Sequence, residues 1–406
     1  MNDPPVPDPA AGSTNGGSTS AGPLAGLRVV EMGQLIAGPF CGQLLGDMGA
    51  EVVKIEPPGA GDPMRSWGQG ARPAWWRVIA RNKYSVAIDL RQAAGQELAR
   101  DLIAQADILI ENFRPGALEA WNLGPDTLRA ADPALIVVRM SGYGQTGPYA
   151  NRPGYGLIGE AMGGLRAIVG EPDRPPSRVG ISIGDTLAAS YGCMGALAAL
   201  HHRDQTGEGQ VIDVALYESV LQVMESLVAD YSASGHKRTR TGAVLPKIAP
   251  SNVYPCRDGA ILIGGNGDTI FGRLCGVMAQ PQLASDPRYA THVARGEHQA
   301  ALDTLIGAWT ATMTVADVET ALIAAAVPAG RMYDAQDMLN DPHFAARDAL
   351  ITVDDPAMGP ITMQGVFPKF SATPGSVRKC APDAVGEDTA DILHRWLGRA
   401  QPGATT

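Results

Sequence analysis

Short runs of apolar, β-branched residues recur along the first half of the chain. They are typical of buried strands and cover residues 27–31, 51–56, 85–90, 107–112 and 135–140. Between the first two runs, Pro39 and Gly49 suit the start and the end of a helix. A polar-apolar helical pattern over 92–105 separates the third run from the fourth. Strand, helix and strand in this order favour right-handed parallel units, so the pattern predicts a doubly wound α/β sheet.

In the second half of the chain, the pattern of apolar and polar residues changes twice. Small apolar residues from Thr186 to about His202 predict a closely packed buried helix, and a strand and a helix over 217–231 follow. A polar, turn-rich connector then leads to strand-like residues 260–265 and several helical segments, which predict a second, smaller α+β domain. Strand texture returns near the end of the chain, before a final amphipathic helix over 388–400.

Composition narrows the possible functions. With 406 residues, of which 45% are hydrophobic, the chain is long enough for two or three domains. A formal charge of −10 argues against nucleic acid or an anionic membrane as the main partner, because binding phosphates requires an excess of Lys and Arg. The five cysteines form no CxxC pair, which excludes a disulfide framework and a zinc-ligand spacing and favours a reducing cytoplasm.

The beginning of the chain is unlike the rest. Residues 1–22 are mostly Pro, Gly, Ser and Thr, so we expect a disordered tail. This stretch has neither the basic nor the apolar region of a secretory signal. No later uninterrupted apolar run has the length of a membrane span, and we therefore expect a cytoplasmic protein without a membrane partner.

Motifs for resident cofactors and metals are missing from the sequence. The turn from Gly33 to Pro39 lacks the GxGxxG pattern of dinucleotide-binding proteins. No GxxxxGK[ST], GxSxG or HExxH motif occurs either. His201 and His202 face different directions on a helix, which favours capping or surface roles over metal ligation. We predict neither a metal site nor a permanently bound cofactor.

Several separated motifs carry a resemblance to a known family. They are PLAGLRVVEMGQLIAGPFCGQLLGDMGAEVVKIEPPGAGDPMR, NKYSVAIDL, ADILIENFRPGAL, SGYGQTGPY, GDTLAASYGCMGALAAL, TGEGQVIDVAL and GGNGD. In order and coverage they resemble the class III CoA-transferases, which include formyl-CoA transferase, carnitine CoA-transferase and the α-methylacyl-CoA racemases. The resemblance implies a large Rossmann-like domain from residues 23–230 and 345–400. It also implies a connector with a small α+β domain over 231–344, and two chains interlocked as rings.

Asp185 matches the nucleophile of this family. Taken without the resemblance, an Asp at the head of an apolar helix also fits an N-cap. Both roles favour an ionised carboxylate, because helix N–H groups stabilise negative charge. The resemblance implies that Asp185 attacks an acyl-CoA thioester and passes through a mixed anhydride and an aspartyl-CoA thioester. Gly264 and Gly265 match a glycine loop that is implied to close over this intermediate; a plain turn at a strand end is the alternative.

Coenzyme A is therefore expected as part of the substrate. By their positions in the matching motifs, the residues implied to bind it are Gln34, Ile36, Ala37, Lys83, Asn112, Phe113, Tyr155 and Leu216. An acidic protein must hold the three phosphates of CoA with local basic groups. The candidates for these contacts are Arg65, Arg81, Arg114 and Arg152, each of which also fits an ordinary surface arginine.

Two features favour a transferase of dicarboxylic acids within the family. Racemases of this fold carry a histidine where this chain has Tyr155, and a tyrosine hydroxyl is a poor base at neutral pH. The connector RTRTGAVLPKIAPSNVYP resembles that of transferases using succinyl-CoA and a C4 or C5 acid: malate, citramalate, mesaconate, itaconate or glutarate. Its Arg240, Asn252 and Tyr254 are candidates for binding the distal carboxylate, or else belong to a capped interdomain turn. A racemase of the same fold and a non-catalytic acyl-CoA-binding protein are the alternatives.

Overall fold

A computed structural model describes residues 22–70 and 73–399 of the protein. The expected tail lies outside these residues except for Gly22. A parallel sheet of six strands is the largest element. Its strands are β1 Arg28–Glu31, β2 Glu51–Glu56, β3 Lys83–Ala87, β4 Ile108–Glu111, β5 Ile136–Ser141 and β6 Val211–Ala215. They are arranged in the order β3-β2-β1-β4-β5-β6, which confirms the predicted doubly wound α/β sheet.

Helices cover both faces of the sheet. Those between β1 and the connector are α1 Ala37–Asp47, α2 Ala74–Ile79, α3 Ala93–Ile103, α4 Ala117–Ala120, α5 Pro125–Ala131, α6 Gly156–Met162, α7 Leu165–Ile168, α8 Ile183–Thr206, α9 Leu216–Leu221 and α10 Leu227–Ser234. Side chains alternate between the two faces: Val29 packs in the cluster with α1 and α8, and Val30 in the cluster with α3 and the last helix. The strands are apolar on both faces because helices cover both.

The middle of the chain forms a separate core. An antiparallel sheet contains β7 Ser251–Cys256, β8 Gly259–Gly264 and β9 Ala329–Arg331. The helices around and after it are α11 Asp268–Val277, α12 His292–Glu297, α13 Gln299–Thr310, α14 Val315–Ala324, α15 Ala335–Asn340 and α16 Pro342–Ala346. The buried residues of this core run from Ala249 to Val327. This confirms a smaller α+β unit, while the exact domain boundaries stay a prediction.

The end of the chain returns to the large sheet. A hairpin of β10 Leu350–Asp355 and β11 Gly359–Gln364 is followed by α17 Thr389–Leu397. Ile392 and Trp396 of α17 are buried in the cluster that contains α3 and strands β1 to β5. Two 3-10 helices, Pro63–Ser66 and Pro281–Ser285, complete the secondary structure of the described residues.

The structure corrects one helix prediction. The segment 217–231 does not form a single helix, because α9 ends at Leu221 and α10 begins at Leu227. Glu225 between them has φ of 53°, a left-handed conformation that no right-handed helix can contain. Met224 beside it is buried, so the apolar spacing that suggested one helix reflects packing at a bend.

Candidate active site

A cavity of about 590 Å³ opens at the carboxyl edge of the six-stranded sheet. It adjoins the turns after β1 and β4, the neighbouring strands between which the chain order changes direction. Open α/β sheets bind ligands at such switch points. The residues that line the cavity are Gln34, Leu35, Ile36, Ala37, Trp67, Asn112, Phe113, Arg114, Pro115, Met140, Ser141, Gly142, Ala150, Arg152, Pro153, Gly154, Tyr155, Gly156, Leu157, Arg178, Ser182, Asp185 and Leu216.

The turn after β1 is fixed by side chains from neighbouring loops. Asn112 accepts a hydrogen bond from the backbone N–H of Gln34 at 2.7 Å and donates to the carbonyl oxygen of Gln34 at 2.8 Å. Leu35 has φ of 63°, and its N–H donates to Asp62 Oδ1 at 3.0 Å. A left-handed leucine is costly, so the surrounding hydrogen bonds must hold this part of the cavity wall in place.

Asp185 lies in the first turn of α8, where small residues let two helices approach. Ser182 is the N-cap of α8 and makes no side-chain cap, so the interpretation of Asp185 as the N-cap is wrong. The carboxylate lies against the backbone at the start of α6: a Cβ at Gly156 would be 2.0 Å from Asp185 Oδ2. A Cβ at Gly184 would similarly be 2.8 Å from the Gly156 carbonyl oxygen. Only glycine at both positions permits this arrangement.

A carboxylate in the first turn of a helix is expected to be easily ionised, but the surroundings of Asp185 favour its neutral form. Its pKa is raised to about 6, first because burial removes water from the carboxylate and second because of the negative charge of Glu160. The positive charge of Arg178 acts in the opposite direction. Glu160 is itself fully buried; its Oε2 accepts from Arg166 at 2.8 Å, and its Oε1 has no hydrogen-bond partner among the described residues. Asp185 is still mostly ionised at pH 7.

Three arginines line the cavity. Arg152 stacks on the Tyr149 ring at 3.5 Å, and Arg178 Nη2 donates to Ser182 Oγ at 3.2 Å. None of the three forms an ion pair with a carboxylate among the described residues. Ser141 Oγ, at the end of β5, is buried and also lacks a hydrogen-bond partner there. The cavity therefore contains cationic and polar groups that remain available to a ligand.

The structure brings most of the candidate CoA-binding residues to this cavity with Asp185. These are Gln34, Ile36, Ala37, Asn112, Phe113, Arg114, Tyr155 and Leu216. Their contacts with CoA stay a prediction. Sequence reasoning missed Arg178 and Ser182, which lie seven and three residues before Asp185 in the segment RVGISIGD. An arginine shortly before a candidate nucleophile was the available signal.

Three other basic candidates lie elsewhere and are already paired. Arg65 forms a two-pronged ion pair with Glu56, with both nitrogen–oxygen distances 2.7 Å. Arg81 Nη2 lies 2.6 Å from Asp47 Oδ2, and Lys83 Nζ lies 2.7 Å from Glu31 Oε2. Arg81 and Lys83 are buried, and none of the three side chains lines the cavity of the single chain. Their charges are neutralised within the protein.

The connector and small-domain candidates also lie outside this cavity. Gly264 and Gly265 stand at the end of β8, where their N–H groups donate to the carbonyl oxygens of Pro328 at 2.9 Å and Pro250 at 2.8 Å. Asn252 and Tyr254 both donate to Asp303 of α13, at 3.0 and 2.5 Å, and Arg240 Nε donates to the Glu171 carbonyl oxygen at 3.1 Å. In the single chain, these residues are engaged by the protein's own groups.

The structure is a doubly wound α/β fold of the Rossmann-like type, with a carboxylate in a cavity at the switch point, where such folds bind ligands. The particular family follows from comparison with known proteins. Residues 24–389 match the model of CoA-transferase family III, and the chain belongs to this family. The predicted family and CoA-transferase activity class are thereby confirmed.

Individual relatives cover nearly the whole chain. Succinyl-CoA–D-citramalate CoA-transferase of Chloroflexus aurantiacus is 56% identical over 93% of this chain and 94% of its own. The beta subunit of succinyl-CoA–L-malate CoA-transferase of the same organism is 40% identical over 94% and 96%. A crystal structure of a CaiB/BaiF family protein from Brucella suis superimposes with a TM-score of 0.81 at 35% identity, covering 92% of this chain and 99% of that one.

Proposed function

We propose that the protein transfers coenzyme A from succinyl-CoA to a C4 or C5 dicarboxylic acid, with Asp185 as the nucleophile. The observation that carries the proposal is the Asp185 carboxylate, which lies in a cavity with three arginines that have no carboxylate partner among the described residues. Two relatives with names of this activity act on citramalate and malate, which are C5 and C4 dicarboxylic acids. An anionic substrate fits the positive charge of the cavity.

The chemistry proceeds by two exchanges at the Asp185 carboxylate. An oxygen of the Asp185 carboxylate attacks the thioester carbon of succinyl-CoA. The C–S bond breaks, CoA leaves as a thiolate, and a mixed anhydride of Asp185 and succinate remains. The thiolate then attacks the aspartyl carbon and releases succinate, which leaves an aspartyl-CoA thioester. The acceptor acid repeats the sequence in reverse. Its carboxylate attacks the aspartyl-CoA thioester and displaces the thiolate, so that a second anhydride forms; the thiolate then attacks the acceptor's acyl carbon and releases the Asp185 carboxylate.

The residues around Asp185 suit this reaction. With a pKa of about 6, the carboxylate is ionised at neutral pH yet poorly solvated, which makes it a better nucleophile than a fully hydrated aspartate. The absence of a side chain at Gly156 leaves the space that the carboxylate occupies. The buried Ser141 hydroxyl lines the cavity, has no hydrogen-bond partner among the described residues, and suits donation to a developing oxyanion.

Mass spectrometry of acyl-CoA products tests this proposal. Wild-type protein is incubated with succinyl-CoA and, separately, with malate, citramalate, mesaconate, itaconate and glutarate. We expect a new acyl-CoA with at least one acid and none with Asp185→Asn, whose amide cannot form the anhydride. Transfer by Asp185→Asn at the wild-type rate would remove Asp185 from the mechanism. Exchange of the α-hydrogen of a branched acyl-CoA with deuterium, without transfer, would indicate a racemase instead.

The protein also exposes apolar surface that suits the association of two chains. Helices α6, α8 and α9 pack against each other and expose Leu157, Met194 and Leu221 with relative accessibilities of 52%, 59% and 38%. Large apolar side chains exposed on neighbouring helices favour burial between protein chains. This supports the homodimer expected for the interlocked-ring arrangement. Light scattering on the wild-type protein tests it: the mass of a dimer is expected, and the mass of a single chain would contradict the arrangement.

The location in the cytoplasm belongs to the same proposal. All five cysteines are free thiols, which suits a reducing compartment. Among the described residues, one helix, Ile183–Thr206, is long and apolar enough to cross a membrane by length and composition. This helix is α8, which packs against α1, α9, β5 and β6 and is better explained as a core helix. Fractionation of cells that express the protein tests the location.

A further inference from the structure

The loop that connects α7 to α8 is more ordered than its exposure suggests. It contains residues 169–182, and most of its side chains are exposed. Ser177 N–H donates to the Val169 carbonyl oxygen at 3.1 Å, which closes the first part of the loop on itself. Gly170 at this closure has φ of 114°, and a Cβ there would lie 2.6 Å from Ser177 Oγ. The loop therefore has a defined path up to the residue that precedes Arg178.

The connector holds the same loop from its other side. Gly242 N–H donates to the Gly170 carbonyl oxygen at 3.0 Å. Arg240 Nε donates to the Glu171 carbonyl oxygen at 3.1 Å. The sequence offers Arg240 as a candidate for binding the distal carboxylate or as part of a capped interdomain turn. In the single chain it contacts the loop that contains Arg178.

Among the three arginines that line the cavity, Arg178 is the one whose positive charge affects the pKa of Asp185. Burial and the negative charge of Glu160 are the two largest effects on the Asp185 carboxyl, and both raise its pKa. The positive charge of Arg178 is the next largest effect and lowers that pKa. Nη2 of Arg178 donates to the N-cap Ser182, three residues before Asp185. The other guanidinium N–H groups have no partner among the described residues. A planar fork of free donors thus lies beside the nucleophile.

We infer that Arg178 binds the distal carboxylate of the dicarboxylic substrate. The inference rests on the proposed function. When the reacting carboxyl of a C4 or C5 diacid is at Asp185, the second carboxylate is two or three carbons away. A guanidinium recognises a carboxylate with two parallel hydrogen bonds, which a lysine or an amide cannot reproduce. Arg178 therefore makes the enzyme prefer diacids, which have a second carboxylate, over monoacids, which have none.

The same arginine serves the donor and the acceptor in turn. The succinyl group of the donor also has a distal carboxylate, and Asp185 is the common reacting group. Succinate must leave Arg178 before the acceptor acid binds there. Succinate is therefore expected to compete with the acceptor for the aspartyl-CoA form of the enzyme.

Paired substrates that differ in the distal group test the inference. The donors are succinyl-CoA and butyryl-CoA, and the acceptors are glutarate and valerate, in which a methyl group replaces the distal carboxylate. The discrimination is the ratio of kcat/KM for the diacid to that for the monoacid. Arg178→Gln is expected to lower this ratio by about 30–100-fold for donor and acceptor alike, since one charged hydrogen-bonded pair is lost. Arg178→Lys, which keeps the charge, should lie between wild type and Arg178→Gln.

Controls separate this inference from the proposed function. Arg174→Gln changes an exposed arginine of the same loop that does not line the cavity, and it should leave both kcat/KM values unchanged. If wild type transfers CoA to no diacid, the proposed function fails. If wild type transfers but Arg178→Gln keeps the wild-type ratio, or loses diacid and monoacid activity equally, the role of Arg178 is overturned.

Discussion

Two groups of charges lie near the turn after β1, and they differ in what surrounds them. Beneath the turn, Glu31 lies between Lys54 at 2.8 Å and Lys83 at 2.7 Å, and all three side chains are fully buried. In the cavity, Arg114 and Arg178 have no carboxylate partner among the described residues. The first group supports the turn, since Lys54 also donates to the Gly33 carbonyl oxygen at 2.7 Å. A cation binds an external anion only where the protein has not already neutralised it.

The largest expected effect concerns the buried group. Lys83→Met leaves Glu31 buried with one cation instead of two, which should lower the free energy of unfolding by about 3–5 kcal/mol. Urea unfolding measures this change. Arg114→Met is the matched control at an exposed cavity residue and should change the unfolding free energy by less than about 0.5 kcal/mol. Equal losses for both variants would contradict the distinction between the two groups.

A second comparison separates CoA binding from folding. Arg114→Gln should raise the KM for succinyl-CoA by about 10-fold, because one charge-assisted contact to the ligand is removed. Arg65→Gln should leave this KM unchanged and lower the melting temperature, because Glu56 then stays buried without its guanidinium partner. Steady-state kinetics and thermal unfolding of both variants give the answer. A raised KM for Arg65→Gln would indicate that Arg65 does contact CoA.

The smallest effect is a shift in pH dependence. The pKa of Asp185 is raised to about 6, so kcat/KM should fall tenfold per pH unit below that value as the carboxylate becomes protonated. Glu160→Gln removes a negative charge that raises this pKa, and the acid limb should therefore move to lower pH. Glu171→Gln, in the exposed loop, should leave the limb in place. A limb that moves to higher pH in Glu160→Gln would show that Glu160 does not act through its charge.

The sequence predicted the architecture well because local patterns determine it. Each predicted strand of the large sheet overlaps an observed one, from Arg28–Glu31 to Val211–Ala215. Apolar β-branched runs between helical segments have few other solutions in a parallel sheet. The bend between α9 and α10 escaped prediction because Glu225 adopts its left-handed φ through packing, without a glycine to mark it.

The site was predictable only in part, because pairing depends on distant residues. Lys83 and its partner Glu31 are 52 positions apart in the sequence, and nothing local reveals that they meet. The motif makes Lys83 a candidate CoA ligand, which stays a prediction, and in the single chain the structure shows it paired with Glu31. Arg178 lies in a loop without secondary structure, and the connector contacts this loop through Gly242 and Gly170. Loop geometry of this kind has no periodic signal.

The contact between Gly156 and Asp185 has a consequence for directed evolution. Because a Cβ at 156 would overlap the nucleophile and one at 184 would overlap the Gly156 carbonyl, libraries that randomise either position would consist mostly of inactive clones. Arg178 and Ser182 also line the cavity, from the exposed loop before α8, and neither is a glycine that a close approach requires. New acceptor acids are best sought by randomising cavity residues other than Arg178, because the succinyl donor also needs this arginine, with Asp185, Gly156 and Gly184 left intact.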